Sequence, residues 1–126
     1  GLAPGSRLSM LTSSMGRAYL AVQPDDVRHA LYAELRHAAG AGADADALVD
    51  AAQRAVAEFA SGGCCYSFRD WHGDVNAAAV PFREPRDGRW LILSCSGPAS
   101  SMGEDVFRTR IGPRLKALAQ RLGDIA

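Results

Sequence analysis

The order of periodicities along the chain predicts an α+β domain: three helical stretches, then an antiparallel hairpin, then a closing helix. Two observations carry that reading. Up to Ser61-Gly62-Gly63 the apolar residues recur every three or four positions. Beyond it, the runs Val75–Arg83 and Arg89–Ser96 lose that spacing and flank the turn-forming EPRDG segment. A chain of 126 residues, 48% hydrophobic and 22% charged, is long enough to bury a core as one domain.

Pro4, Gly5 and the Arg7–Leu11 run read as a loop entering a brief strand. Thr12, Ser13 and Ser14 are N-cap residues ahead of a helix over 13–21, in which Met15, Ala18, Tyr19 and Leu20 lie on adjoining faces. Pro24 suits the first helical position, and the carboxylates of Asp25 and Asp26 complement the positive helix end. Val27, Ala30, Leu31, Leu35 and Ala38 keep the spacing until Gly40. After a small polar linker, Asp46 is placed to cap a third helix carrying Leu48, Ala51, Ala52, Ala55, Val56 and Phe59. Cys64–Arg69 is a short apolar run without helical period, and Trp71-His72-Gly73-Asp74 punctuates the chain before the hairpin.

With a two-residue loop, opposing residue numbers in the hairpin sum to an odd value, so each face can be written down. One face holds Asn76, Ala78, Val80 and Phe82 with Leu91, Leu93 and Cys95, almost wholly apolar and suited to helix packing. The other holds Val75, Ala77, Ala79 and Pro81 with Trp90, Ile92, Ser94 and Ser96, and ends in small residues and two hydroxyls. Gly97-Pro98 breaks the strand. Ser101 with Glu104 forms a capping box for a last helix whose stripe is Val106, Ile111, Leu115, Leu118 and Leu122. Pro113 inside that helix requires either a kink or two segments, 102–110 and 112–123.

Charge and motifs exclude several functions. Fourteen basic and fourteen acidic side chains cancel, which argues against direct DNA binding by this segment. There is no membrane-length apolar run and no signal-like start, so the expected location is cytoplasmic. Cys64, Cys65 and Cys95 are an odd count without CxxC spacing, as reduced thiols would be. Cys64 or Cys65 with His72 and Asp70 could make a thiolate–imidazole pair, and Cys64, Cys65, His72 and Asp74 a metal site. Adjacent cysteines in an apolar run are better read as small buried hydrophobes, so no enzyme, metal or cofactor is expected. Phosphate-loop, HExxH and GxSxG motifs are missing from the sequence. Ser94 and Ser96 beside Ala77 and Ala79, with a helix start at Ser14–Gly16, would together make a pocket for a small carboxylate: apolar walls and a few convergent donors.

Several strings in order, Gly5-Ser6-Arg7, MLTSSMGRAYLA (Met10–Ala21), the strand after Gly63, NAAAVPFRE (Asn76–Glu84), LSCSGPASSM (Leu93–Met102) and IGPRLKALAQRL (Ile111–Leu122), resemble the C-terminal effector-binding domain of IclR-family bacterial transcription regulators. The LTS…GRAYLA form and the segment with Trp71 are similar to the MhpR-like activators, which respond to phenylpropionate-type aromatic acids. The resemblance implies a GAF/profilin-like domain, with a central antiparallel sheet flanked by helices, that senses a small organic acid and forms a homodimer or homotetramer. It also implies that residues 1–126 are an N-terminally truncated effector-binding domain. DNA would be bound only through a winged helix-turn-helix domain not present in this stretch. Carried onto matching positions, the implied effector contacts are Ser14, Met15, Ser67, Val75, Ala77, Ser94 and Ser96. Small-carboxylate sensors of the family have Asp where Ser67 stands and Cys where Ala77 stands, which argues against a glyoxylate- or pyruvate-like ligand and leaves room for a bulkier one. The competing readings are a GAF-like oligomerisation module without a ligand and a cysteine-dependent enzyme using Cys65.

Overall fold

The computed structural model describes residues 9–40 and 43–125. The expected loop over residues 1–8 lies outside them. Helices α1 (Ser14–Ala21), α2 (Asp25–Ala38) and α3 (Ala43–Gly62) precede strands β1 (Cys65–Phe68), β2 (Val75–Arg83) and β3 (Trp90–Pro98). A helical run then follows, made of α4 (Glu104–Val106), a π-helical turn (Phe107–Ile111) and α5 (Gly112–Leu122), and a two-residue strand β4 (Asp124–Ile125) ends it. All pairing is antiparallel and passes through β2, which has β3 on one edge and β1 and β4 along the other.

The hairpin keeps the expected parity, with Ala77 opposite Ser96, Ala79 opposite Ser94 and Val80 opposite Leu93. The loop is longer than two residues, because Glu84 N donates to Arg89 O at 2.8 Å and four residues lie between them. An even loop length leaves the facing unchanged. Within it, the Glu84 carboxylate accepts from Arg86 N and Asp87 N, and Gly88 supplies a positive φ of 73°. β3 also runs past Gly97 to Pro98, opposite Val75. A proline is tolerated there because β3 has no neighbour on its outer edge among the described residues. Pro81 is accommodated similarly, since it falls between the stretch of β2 paired to β1 and the stretch paired to β4.

The sheet separates two packed layers. Its apolar face, Ala78, Val80, Phe82, Leu93 and Cys95, packs on Phe107, Leu115 and Ala119 of the closing helical run. On the opposite face Ala79 and Cys65 meet Ala18 of α1 and Phe59 of α3. Beyond that layer Leu11, Leu20, Tyr32, Leu35, Val49 and Ala52 join α1, α2 and α3. Burial of a side chain such as Phe107, fully covered, contributes about 2–3 kcal/mol.

Four local expectations change. Residues 9–12 form a helical turn rather than a strand, because Leu11 is drawn into the helical core and Ser13 N closes on Ser9 O at 2.8 Å. Pro24 is the N-cap of α2 rather than its first residue, and α3 starts at Ala43, ahead of Asp46. The Ser101 capping box does not form: Ser101 and Met102 turn back to the Pro98 carbonyl, Asn76 Nδ2 holds Met102 O at 3.0 Å, and the N-cap is Gly103. Ahead of Pro113 the last helical run is divided, as the sequence allowed, with α5 starting at Gly112 and Pro113 in its first turn. The preceding π-turn, closed by Gly112 N to Phe107 O, widens the backbone where the proline ring would otherwise press on an earlier carbonyl. β4 had no counterpart in the sequence pattern. Two residues carry no periodicity, and the strand depends on Gly123, where a Cβ would lie 2.1 Å from Arg83 O.

Candidate functional site

On the helical side of the sheet the register lines up small residues in rows. Ser67 of β1, Ala77 of β2 and Ser96 of β3 sit abreast, and Cys65, Ala79 and Ser94 form the next row. The N-terminal turn of α1 covers one end of these rows incompletely, leaving a cavity of about 310 Å³. Its lining is Ser9, Ser13, Ser14, Met15, Ser67, Trp71, Val75, Ala77, Ser94 and Ser96. All seven sequence-selected positions are therefore brought to one cavity. That volume is at the small end of ligand pockets.

Its chemistry is neutral and rich in hydroxyls, with six serines and no charged side chain in the lining. They are not equivalent. Ser67 is buried and its hydroxyl already donates to Thr12 O at 2.6 Å, so it serves as wall and acceptor. Ser13, not Ser14, is the N-cap of α1, its Oγ accepting from Gly16 N at 3.0 Å. The Gly16 amide is therefore already engaged by Ser13. The side chains of Ser94 and Ser96 are exposed, and their hydroxyls make no hydrogen bond to another described residue.

Ser9, Ser13 and Trp71 also line the cavity and were not picked out by sequence reasoning. Ser9 and Ser13 are four apart, a spacing that places them on one side of a helical turn, but only once residues 9–12 are known to be helical. Trp71, read as punctuation, leaves 46% of its surface exposed and meets the His72 ring edge-on at 4.1 Å between centroids.

Arg17 binds these parts together. It is 3% exposed; its Nε donates to Leu11 O at 2.9 Å, and its Nη1 to Tyr66 O at 3.0 Å and to Asp70 Oδ2 at 2.9 Å. One guanidinium thus joins the 9–12 turn, α1, β1 and the loop that carries Trp71. A smaller groove of about 190 Å³ lies near it, lined by Arg17, Arg54, Glu58, Tyr66, Phe68, Asp70 and Arg108 among others. Arg108 lies 5.0 Å above both the Tyr66 and Phe68 rings and pairs with Glu58 and Glu104.

The cysteines lie away from this cavity. Cys65 is fully buried, and burial pushes its thiol up to about 12; burial also raises that of Cys64. Both are thiols rather than thiolates near neutral pH, which removes the activation a nucleophile needs. A raised folded-state pKa stabilises the protein below the unfolded value, so this contribution of Cys65 is lost as pH climbs from about 9 towards 12. Iodoacetamide at pH 7.5 should leave Cys64 and Cys65 unmodified in the native chain. Mass spectrometry finding either one alkylated as fast as in urea would contradict this burial. Among the described residues no group of three His, Cys, Asp or Glu side chains could hold a metal ion, and no helix is long and apolar enough to cross a membrane.

No family model and no curated protein sequence matched the chain. Solved structures did. An IclR-family transcriptional regulator from Brucella abortus superposes on 90% of this chain with a TM-score of 0.80 at 31% identity, over 42% of its own length. The chain shares the fold of a domain of IclR-family transcriptional regulators. An IclR transcriptional regulator from Silicibacter sp. TM1040 shares the fold at a TM-score of 0.65 and 23% identity, over 94% of this chain and 47% of its own. The inducer-binding domain of the PobR transcription factor from Acinetobacter, a double mutant in complex with 3-hydroxybenzoic acid, does so at 0.66 and 17%, over 90% and 64%. The chain spans less than half the length of the Brucella and Silicibacter proteins. The strings that carried the sequence resemblance fall on elements of this fold: MLTSSMGRAYLA ends in α1, NAAAVPFRE is β2, LSCSGPASSM spans the end of β3 and its turn, and IGPRLKALAQRL is α5.

Proposed function

We propose that this domain is the effector-sensing part of a transcription regulator and that its serine-lined cavity holds the carboxylate of a small organic acid. One observation carries the proposal: the positions that donor chemistry and family resemblance select separately line a single cavity with apolar walls and no acidic side chain to repel an anion. The hydroxyls of Ser94 and Ser96 donate to the carboxylate, and the positive end of α1 at Ser14 and Met15 adds favourable field. Ser67, Val75 and Ala77 shape the floor. DNA contact belongs to a separate part of the regulator, and the domain self-associates, so that occupancy of the cavity biases the arrangement of its copies. The hydroxybenzoate in the PobR neighbour supports an acid of that size.

Substituting Ser94 or Ser96 by Ala tests the assignment. Each lost bond to a carboxylate is worth about 1.5–3 kcal/mol, a roughly ten- to hundred-fold loss of affinity by calorimetry. Melting temperature should hardly move, because both side chains are exposed. Undiminished affinity in both variants would place the site elsewhere. A chain that binds no acid at all would instead be an oligomerisation module.

A further inference from the structure

Trp71 belongs to no apolar cluster of the fold. It is nonetheless fixed in place at a cost. Its loop begins with Arg69 at a φ of +58°, a left-handed conformation that a residue with a side chain adopts only when its surroundings enforce it. Arg69 N donates to Val75 O at 3.1 Å, Arg69 Nη1 to Gly73 O at 2.7 Å, and Val75 N to His72 O at 3.1 Å. The neighbouring Asp70 is held by Arg17, and Asp74 O accepts from Ala99 N at 2.8 Å. A large apolar side chain is thereby kept half in water beside a cavity it helps to line, while the floor of that cavity is built from side chains too small to fill it. Among the described residues its one aromatic neighbour, His72, meets it edge-on and accounts for one side of the indole at most.

We propose that Trp71 is the specificity-determining residue of this cavity, presenting its indole as a stacking wall that selects planar, single-ring aromatic acids over saturated acids of the same size. This rests on the carboxylate reading of the cavity. The hydroxyls of Ser94 and Ser96 take the polar end of the ligand, Ala77 and Val75 leave room for its body, and the indole covers the ring. Stacked aromatic pairs gain beyond what their buried area supplies, and a saturated ring forgoes that gain.

The test compares 3-hydroxybenzoate, 3-hydroxycyclohexanecarboxylate and pyruvate by calorimetry on the parent chain, W71F and W71L. The aromatic acid should bind roughly three- to ten-fold tighter than its saturated counterpart in the parent and in W71F, and the ratio should fall to about one in W71L. If W71L does not fold, W90F leaves Trp71 as the sole indole, because the chain has two tryptophans. Its emission must then be quenched by 3-hydroxybenzoate and not by the saturated acid. Ring acids bound with an unchanged ratio in W71L, or emission unmoved at saturation, overturn the role of Trp71 and leave the carboxylate site standing. Pyruvate binding in place of both ring acids, weakened by S94A, does the same. Failure of all three acids to bind overturns both proposals.

Discussion

Replacing Arg17 by Met is expected to lower the stability of the domain by about 3–5 kcal/mol, the range for breaking a buried, fully hydrogen-bonded charge. The carbonyls of Leu11 and Tyr66 lose their donor at a site where the replaced side chain was 3% exposed, and Asp70 loses its partner. The asymmetry of the pair makes the result diagnostic. Asp70 is 46% exposed, so D70N, which keeps two of the three arginine contacts, should cost about 1 kcal/mol or less. Urea titrations of the two variants separate the cases. Equal losses would mean that the ion pair, rather than the backbone contacts, holds the turn, β1 and the Trp71 loop together.

Gly16→Ala should be nearly as damaging. A Cβ at this position would lie 2.5 Å from both Met10 Cα and Met10 O and 2.7 Å from Met10 C, all backbone atoms that cannot swing aside. Alanine gains up to about 1 kcal/mol of helix propensity over glycine, but overpacking against a fixed backbone costs about 3 kcal/mol, so the clash prevails. The strain can be relieved only by moving the 9–12 turn away from α1, which displaces Ser9 from the cavity wall. Gly97→Ala is the control: its Cβ meets Met102 Sδ at 2.1 Å, the end of a flexible side chain that can turn away, and its loss should be smaller. Thermal melts that rank the two variants in the opposite order would show that the turn, rather than the methionine, yields.

How much of this was legible in the sequence depends on what each feature needs. The two faces of the hairpin were readable from Val75 to Ser96 because strand facing depends only on parity, and a four-residue loop has the same parity as a two-residue one. Ser94, Ser96 and Ala77 followed from that facing, since hydroxyls and small side chains stand where a filled core would have branched ones. Ser14 and Met15 followed from the amides of a helix start, whereas Ser67 and Val75 came from the family resemblance. The contacts of Arg17 were not legible. Leu11, Tyr66 and Asp70 come together only when α1 lies across the sheet, and no local pattern encodes a carbonyl 49 residues away. Trp71 was missed because loop composition says nothing about which cavity a loop borders. The 9–12 turn was read as a strand because a short apolar run has no period of its own, and its packing against α2 and α3 decided the outcome.

The alternation of β2 divides two duties between neighbouring residues. Asn76, Ala78 and Val80 point into the core, whereas Val75 and Ala77 point into the cavity. Side chains on the cavity side can be exchanged one at a time without touching the ladder or the packed layer behind it. The outline of the cavity can thus be redrawn residue by residue on every second position of the strand while the scaffold behind it keeps its shape.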